Sequence, residues 1–420
     1  MSRFLNSKTF VLKSLALTVT ALMVTTVNAA TSDQEEIKQL RQEVEALKAL
    51  VQQQQQVQQQ QQVKLQEVAA QPAAPQSPLA SLKSKTGADV NLYGFIRGDA
   101  NYIIEGADDD FNKVSSSDGQ TKDKLRATAK TTRIGLDFTA PVADAKVGGK
   151  IEVDFAGNGV SENLRIRHAY LTYNNWLFGQ TTSNFLSSHA PEMIDFNTNV
   201  GGGTARIPQV RYSYNLAPTT KLLVAAEEGN SAGGKDTNIK YSLPVLTGKI
   251  TQSYAGGNGN ASARVLVENY KESGAGDKTG WGVGLGTDFK VIEPLKLFAD
   301  ASYVVGNSNY LYGSNSAYSV VNGDIEQNEF TALQVGGTYK ILPNLRTTLA
   351  YGALFADDGT DFAKANKAAN EKVQQGWLNV IYSPAKPLDL GVEYVNGKRE
   401  TFEGKSFKDN RVGLMAKYNF

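Results

Sequence analysis

Six arginines are the residues of this chain best suited to binding chemistry. Arg97, Arg133, Arg165, Arg167 and Arg211 each fall on the polar phase of a stretch in which apolar and polar residues alternate, and Arg206 ends the long connection that starts at Ser183. A guanidinium presents a planar fork of N–H donors that fits a carboxylate, and several in series can hand an anion along instead of trapping it. Asp99, Asp137, Glu152 and Asp154 stand close by in sequence. Arg97 and Arg133 are expected to pair with them and brace the structure, which leaves Arg165, Arg167, Arg206 and Arg211 to form an arginine-lined constriction for small anionic solutes.

Little else offers reactivity. There is no cysteine, so a disulfide framework, a thiolate metal site and a cysteine nucleophile are excluded. His168 lies on the apolar phase of its stretch beside Tyr170, where an interface position is expected, and His189 has Ser187 and Ser188 only as sequence neighbours. A catalytic triad needs spatial partners, so no enzyme activity is expected. Asp108-Asp109-Asp110 matches no EF-hand spacing and reads as the solvated tip of an outer loop. No metal or cofactor is expected. With 43 Lys and Arg against 42 Asp and Glu the net charge is only +1, too little to attract nucleic acid, and charge preference must come from placement.

The elements that must hold these arginines are β-strands. In the last eleven residues Val412, Leu414, Ala416, Tyr418 and Phe420 alternate with Arg411, Lys417 and Asn419. The period of two and the aromatic terminus suit the closing strand of a transmembrane barrel. After the N-terminus no run approaches the ~20 apolar residues of a membrane helix. A membrane protein without such helices must be a closed barrel, because only closure satisfies every backbone polar group in lipid. The low mean hydropathy of −0.33 is compatible with that, since lipid-facing and lumen-facing residues average out.

Strands are read at Val90–Tyr102, Ala127–Ala140, Lys146–Phe155, Leu164–Tyr173, Trp176–Thr182, Pro208–Asn215, Lys221–Glu228, Leu246–Ala255, Ala261–Lys271 and Gly280–Phe289. Six more follow at Leu295–Val305, Glu329–Lys340, Leu345–Phe355, Lys372–Ser383, Leu388–Thr401 and the C-terminus. Counting Thr237–Leu243 as well would give an odd number that cannot close with both ends on one side. Pro244 breaks that segment, so 230–244 is assigned to a loop and the barrel has sixteen antiparallel strands. The connection 183–206, with Met193, Ile194, Phe196 and three consecutive glycines, is too apolar for a surface loop and is expected inside the lumen as a constriction loop. The hydrophilic tract 105–124 is expected to be an outer loop.

The chain before the barrel divides into three. Residues 1–29 carry Arg3, Lys8 and Lys13 ahead of an apolar run and read as a cleavable signal peptide. In 30–68, Ile37, Leu40, Val44, Leu47 and Val51 recur at coiled-coil spacing, with Glu36 and Glu43 placed to pair with Arg41 and Lys48 of a parallel copy. A Pro-rich linker, 69–88, separates this helix from the barrel at 89–420.

Leu92-Tyr93-Gly94-Phe95, Arg133-Ile134-Gly135-Leu136, Arg165-Ile166-Arg167-His168-Ala169-Tyr170, Gly179-Gln180-Thr181 and Ile207-Pro208-Gln209-Val210-Arg211-Tyr212 resemble the strand phrases of the DcaP-like outer-membrane porins. The coiled coil, glutamine tract and Pro spacer resemble that family too, so the likeness spans nearly the whole chain. It implies a homotrimeric sixteen-stranded porin in the outer membrane, with a periplasmic coiled coil and uptake of small anionic solutes such as dicarboxylates. The Gly98 and Ala100 face is expected to pack against a neighbouring barrel. The alternative class is a structural anchor, embedded in outer-membrane lipid and reaching the cell wall through the coiled coil; an open lumen separates the two.

Overall fold

The computed structural model describes residues 82–85, 87–142, 144–157, 162–234 and 238–420. The expected signal peptide and coiled coil, and the expected linker up to residue 81, lie outside the described residues. Sixteen wall strands form one closed antiparallel barrel. They are β1 Asp89–Gly106, β2 in two pieces at Thr121–Thr128 and Arg133–Val142, β3 Ala145–Asp154, β4 Arg165–Tyr173, β5 Trp176–Thr182, β6 Arg206–Ala217, β7 Thr220–Glu227 and β8 Val245–Tyr254. The second half comprises β9 Gly259–Glu272, β10 Gly276–Ile292, β11 Leu295–Val305, β12 Glu329–Leu342, β13 Leu345–Ala356, β14 Asn370–Ala385, β15 Leu388–Thr401 and β16 Ser406–Asn419. Both pieces of β2 pair with β1, Thr128 opposite Asp99 and Arg133 opposite Phe95, so they are one strand interrupted by a turn. Every strand expected from the alternation is present.

Closure is made by the chain ends. β1 and β16 are in register from Phe95 opposite Asn419 to Glu105 opposite Asn410. Gly94 and Phe420 then exchange both backbone hydrogen bonds, at 3.1 and 3.0 Å. As the alternation requires, Leu414 and Tyr418 of β16 point outward while Arg411 is fully buried inside. The outer surface carries Ile96, Leu125, Ile151, Ile166, Leu246, Leu285 and Leu349, each more than half or close to half exposed. Exposed apolar side chains in such number fit a lipid-facing band. Tyr173, Trp176 and Tyr214 lie near its lower edge, where short turns join the strands. Among the described residues no helix is long and apolar enough to cross a membrane.

Three connections at the opposite end turn into the lumen. The 183–205 connection is one. The 107–120 segment is another, which corrects the solvated outer loop expected for 105–124: Phe111 and Val114 are buried, and Asn112 donates its N–H to Asp195 at 2.6 Å. The third is 306–328, whose Tyr310, Leu311 and Tyr318 are buried. Val114, Phe185, Leu186, Val200, Tyr310 and Leu311 pack with the wall residues Ile207, Leu266, Phe330 and Val373 in one apolar cluster. Removing each large side chain from water contributes about 2 kcal/mol, so the loops are held as a core is held. The described residues of 230–244 form a loop except for the short strand Ile239–Tyr241, which pairs with the upper end of β9.

The 183–205 connection follows the far wall. His189 bridges Asp288 and Ser262 at 2.7 and 2.9 Å. Glu192 pairs with Arg346 at 2.8 Å and accepts the Trp377 indole N–H at 3.0 Å through its carbonyl. Glu393 accepts the N–H groups of Ile194 and Asp195. On the return, Val200 presses so close to Gly352 of β13 that its carbonyl occupies the space a Cβ would need. Gly201 has φ 81° beside Leu333, a conformation glycine supplies without strain. The space that stays open lies between this connection and the wall of β2 to β8.

Candidate functional site

On that open side, β3 and β4 bring Glu152, Asp154, Arg165 and Arg167 together. Arg165 pairs with Asp154 at 2.7 Å, Arg167 reaches Glu152 at 2.7 Å and Asp154 at 3.0 Å, and Arg133 approaches Glu152 at 3.4 Å. Arg206, at the head of β6, has no carboxylate within ion-pair distance among the described residues, and its charged neighbours are Arg167, Arg133 and Arg165. Three guanidiniums thus share two carboxylates and Arg206 has none among the described residues, so the wall keeps a local excess of positive charge. Its value is raised by burial in a partly desolvated lumen, where charge interactions are stronger than in bulk water.

Arg97 behaves as the sequence suggests. It is buried, chelates Asp99 at 2.6 Å, donates to the Ile194 carbonyl at 2.6 Å and lies 4.9 Å over the Phe196 ring. It holds the lumenal connection to the wall and faces no open space. Arg133 has Phe95 at 5.0 Å and Phe196 at 5.9 Å from its guanidinium. Arg211 points inward further down β6; its Nε is buried without a hydrogen-bond partner among the described residues.

A cavity of about 350 Å³ is lined by Arg165, Arg167 and Arg206, by Lys113 and Lys130, by Asp109, and by Phe111, Phe196 and Tyr312. A second cavity, also about 350 Å³, shares Arg165, Arg206, Thr204 and Tyr312 with the first and adds Gln180, Asn309 and Tyr310. Sequence reasoning missed Lys113, Lys130 and Tyr312: Lys113 falls in the tract expected outside the lumen, Lys130 falls within the expected strand Ala127–Ala140, and nothing was read for the connection 306–328. Their buried partners Phe111, Val114, Tyr310 and Leu311 were the available signal. The aspartates of the same tract are each paired: Asp108 with Lys124, Asp109 with Lys113, Asp110 with Arg126 and Lys130. Burial pushes the Asp110 carboxyl upward, but Lys130 and Arg126 outweigh it and hold the group below its ordinary range.

His168 departs from its expected place. The β3–β4 register shifts between Glu152 and Val153, so that Glu152 faces His168 and Val153 faces Ile166. This bulge turns Arg167 and His168 to the same side. The imidazole lies 2.9 Å from Thr181 and 3.8 Å from Glu152 instead of facing a neighbouring barrel. It joins the polar wall.

The comparisons agree with this architecture. The model of the DcaP outer membrane protein family matches residues 18–420. The crystal structure of the outer membrane channel DcaP of Acinetobacter baumannii is 74% identical, covers 81% of this chain and 100% of its own, and superposes with a TM-score of 0.80. Two more distant structures share the fold alone. The anion-selective porin from Comamonas acidovorans is 13% identical over 79% of this chain and 100% of its own, with a TM-score of 0.54. OmpT of Vibrio cholerae is 14% identical over 81% and 99%, with a TM-score of 0.51. Among curated protein sequences no relative matches. A closed sixteen-stranded barrel with an apolar outer band, inward-folded loops and a family match over nearly its whole length places this chain in the DcaP outer membrane protein family of outer-membrane channels.

Proposed function

We propose that the channel is a diffusion porin that passes small hydrophilic solutes with a preference for anions of the dicarboxylate type. The observation that carries this reading is the unequal pairing on the β2–β6 wall, where Arg133, Arg165 and Arg167 share Glu152 and Asp154 and Arg206 has no carboxylate within ion-pair distance among the described residues. An anion entering the cavity supplies the charge that the wall lacks, while Lys113 and Lys130, which also line it, are already paired with Asp109 and Asp110. Phe196 and Tyr312 add apolar surface for a carbon skeleton. The arrangement serves passage because the cations are spread over the wall and no single one encloses the solute.

Assembly and orientation belong to the same proposal. β1 presents Ile96, Gly98, Ala100 and Tyr102 outward, a face whose small residues allow close approach of another barrel, and three copies are proposed to meet there. The 30–68 segment then extends as a coiled coil into the periplasm.

The test is the reversal potential of the purified channel in a planar bilayer across a salt gradient. The parent is expected to be anion-selective at 0.1 M salt, where screening acts over roughly 10 Å, and less so at 1 M. Arg165→Ser combined with Arg206→Ser should bring the reversal potential toward zero. A cation-selective parent, or a double variant as selective as the parent, would contradict the reading.

A further inference from the structure

Two more lumenal cations stand apart from this cavity. Arg211 lies five residues beyond Arg206 on β6, roughly 16 Å along the strand toward the short turns. Lys249 lies on β8. The register sets Arg211 opposite Ala225 of β7 and Ala225 opposite Thr247 of β8, so Lys249 is two residues further toward the same turns and on the same inward phase. Two strand spacings put the two backbones roughly 10 Å apart, within joint reach of an arginine and a lysine side chain.

Neither cation is neutralised. No carboxylate comes within ion-pair distance of either among the described residues, and the Arg211 Nε is buried without a partner. The Lys249 ammonium donates to the Leu186 carbonyl at 2.8 Å, which uses one of its three N–H groups. Its charged neighbours are Arg264, Asp300 and Arg211. Arg264 makes the contrast, because Asp300 grips it with two bonds at 2.6 and 2.7 Å. Asp300 is thereby committed, and Tyr170 and Glu227 are titratable groups that act on Arg211. Glu227 is itself taken up by Thr247 at 2.6 Å, Asn184 at 3.0 Å and Tyr310 at 3.1 Å. Two like charges face one lumen and the carboxylates around them are engaged elsewhere. Half-buried cations in that state gain from a mobile counter-charge.

We propose that Arg211 and Lys249 form a second anion subsite, on the short-turn side of the 183–205 connection, which receives a small oxyanion after it leaves the Arg165 and Arg206 cavity. The ligand class is a dianion with two acceptor groups a few ångströms apart, such as a short dicarboxylate. The inference rests on the anion preference proposed above and adds a location and a residue, Lys249, to it. The Leu186 carbonyl orients the ammonium, so the connection that narrows the upper cavity also positions the lower one.

The experiment uses the full-length channel inserted in one orientation in a planar bilayer with potassium chloride. Succinate is added from the short-turn side, and its interruption of the chloride current gives an apparent dissociation constant. Arg211→Gln with Lys249→Gln is expected to raise that constant roughly tenfold, as loss of two contact charges in a hydrated lumen requires. Lys249→Gln alone keeps an N–H for Leu186 and should still weaken binding, whereas Lys249→Arg should stay close to the parent. A purely structural Lys249 predicts the opposite: no effect of glutamine and disturbance by arginine. If the double variant yields no folded barrel, the two single variants decide. An anion-selective parent whose succinate binding is unchanged in the glutamine variants overturns the subsite and leaves the upper cavity standing. A parent without anion selectivity overturns both.

Discussion

Asp195 accepts the backbone N–H of Asn112 at 2.6 Å, so two lumenal connections meet at one buried carboxylate. It also caps the 3₁₀ turn Phe196–Thr198 through the Asn197 N–H at 2.9 Å. The neighbouring Glu393 receives the other side of the same connection.

Burial drives the Asp195 carboxyl up to about 6, against the pull of the Asn112 N–H, Arg411 and Arg97. In the unfolded chain the group titrates near 3.9. The folded protein therefore takes up this proton between about pH 6 and 4 while the unfolded chain does not, and stability from this group rises as pH falls through that window. The slope is at most about 1.4 kcal/mol per pH unit. Asp195→Asn should remove it. Urea midpoints measured from pH 7 to 4.5 should diverge between parent and variant, and parallel profiles would sink the assignment.

His189 is a buried anchor of the 183–205 connection, held by Asp288 and Ser262. His189→Ala is expected to cost about 1–3 kcal/mol locally, since buried partners lose their bonds. Asp288 keeps Lys296 at 2.9 Å, which limits the loss. Every wall rung remains, so the thermal midpoint should move little. The open-channel current should become noisier as the connection fluctuates; a trace as quiet as the parent's would show that the other contacts suffice.

Arg97 and Arg206 separate bracing from binding. Arg97→Met strands Asp99, which is buried and otherwise bonded to Thr131 at 2.9 Å. Losing one partner of such a pair costs roughly 3–5 kcal/mol. Arg206→Met strands no carboxylate and should leave the denaturation midpoint close to the parent. The reversal potential should respond the other way, strongly at Arg206 and weakly at Arg97. Equal effects of both variants on selectivity would place Arg97 in the conduction path.

The wall was legible in the sequence because alternation is local: the side chain at each position faces lipid or lumen, and sixteen such runs could be counted and closed by parity. Two physical facts hid the remainder. A bulge opposite Glu152 resets the phase, so His168 turned inward where strict alternation sends it outward. Within a wide barrel the lumen is also wet, so a polar tract such as Asp108-Asp109-Asp110 reads the same whether it projects outside or folds within. Only apolar residues inside such tracts, Phe111, Val114, Tyr310 and Leu311, distinguish the two cases. The arginines on strand phases were found, but their pairing depends on neighbours across the sheet, and Arg165 and Arg167 turned out to be partnered where Arg206 is not.

The hydrogen bonds between Gly94 and Phe420 also govern when the barrel can form. Nearly the whole domain lies between these residues in sequence, so the final rung is the most non-local contact in the wall and carries the largest loop-closure entropy. Until the last residue arrives, β1 and β16 each present a bare row of N–H and C=O groups, which is a template for pairing with another chain. An incomplete chain therefore has no stable resting point in either water or lipid. The vulnerable period of this protein is its assembly, and whatever delivers it to the membrane must shield two strand edges until they find each other.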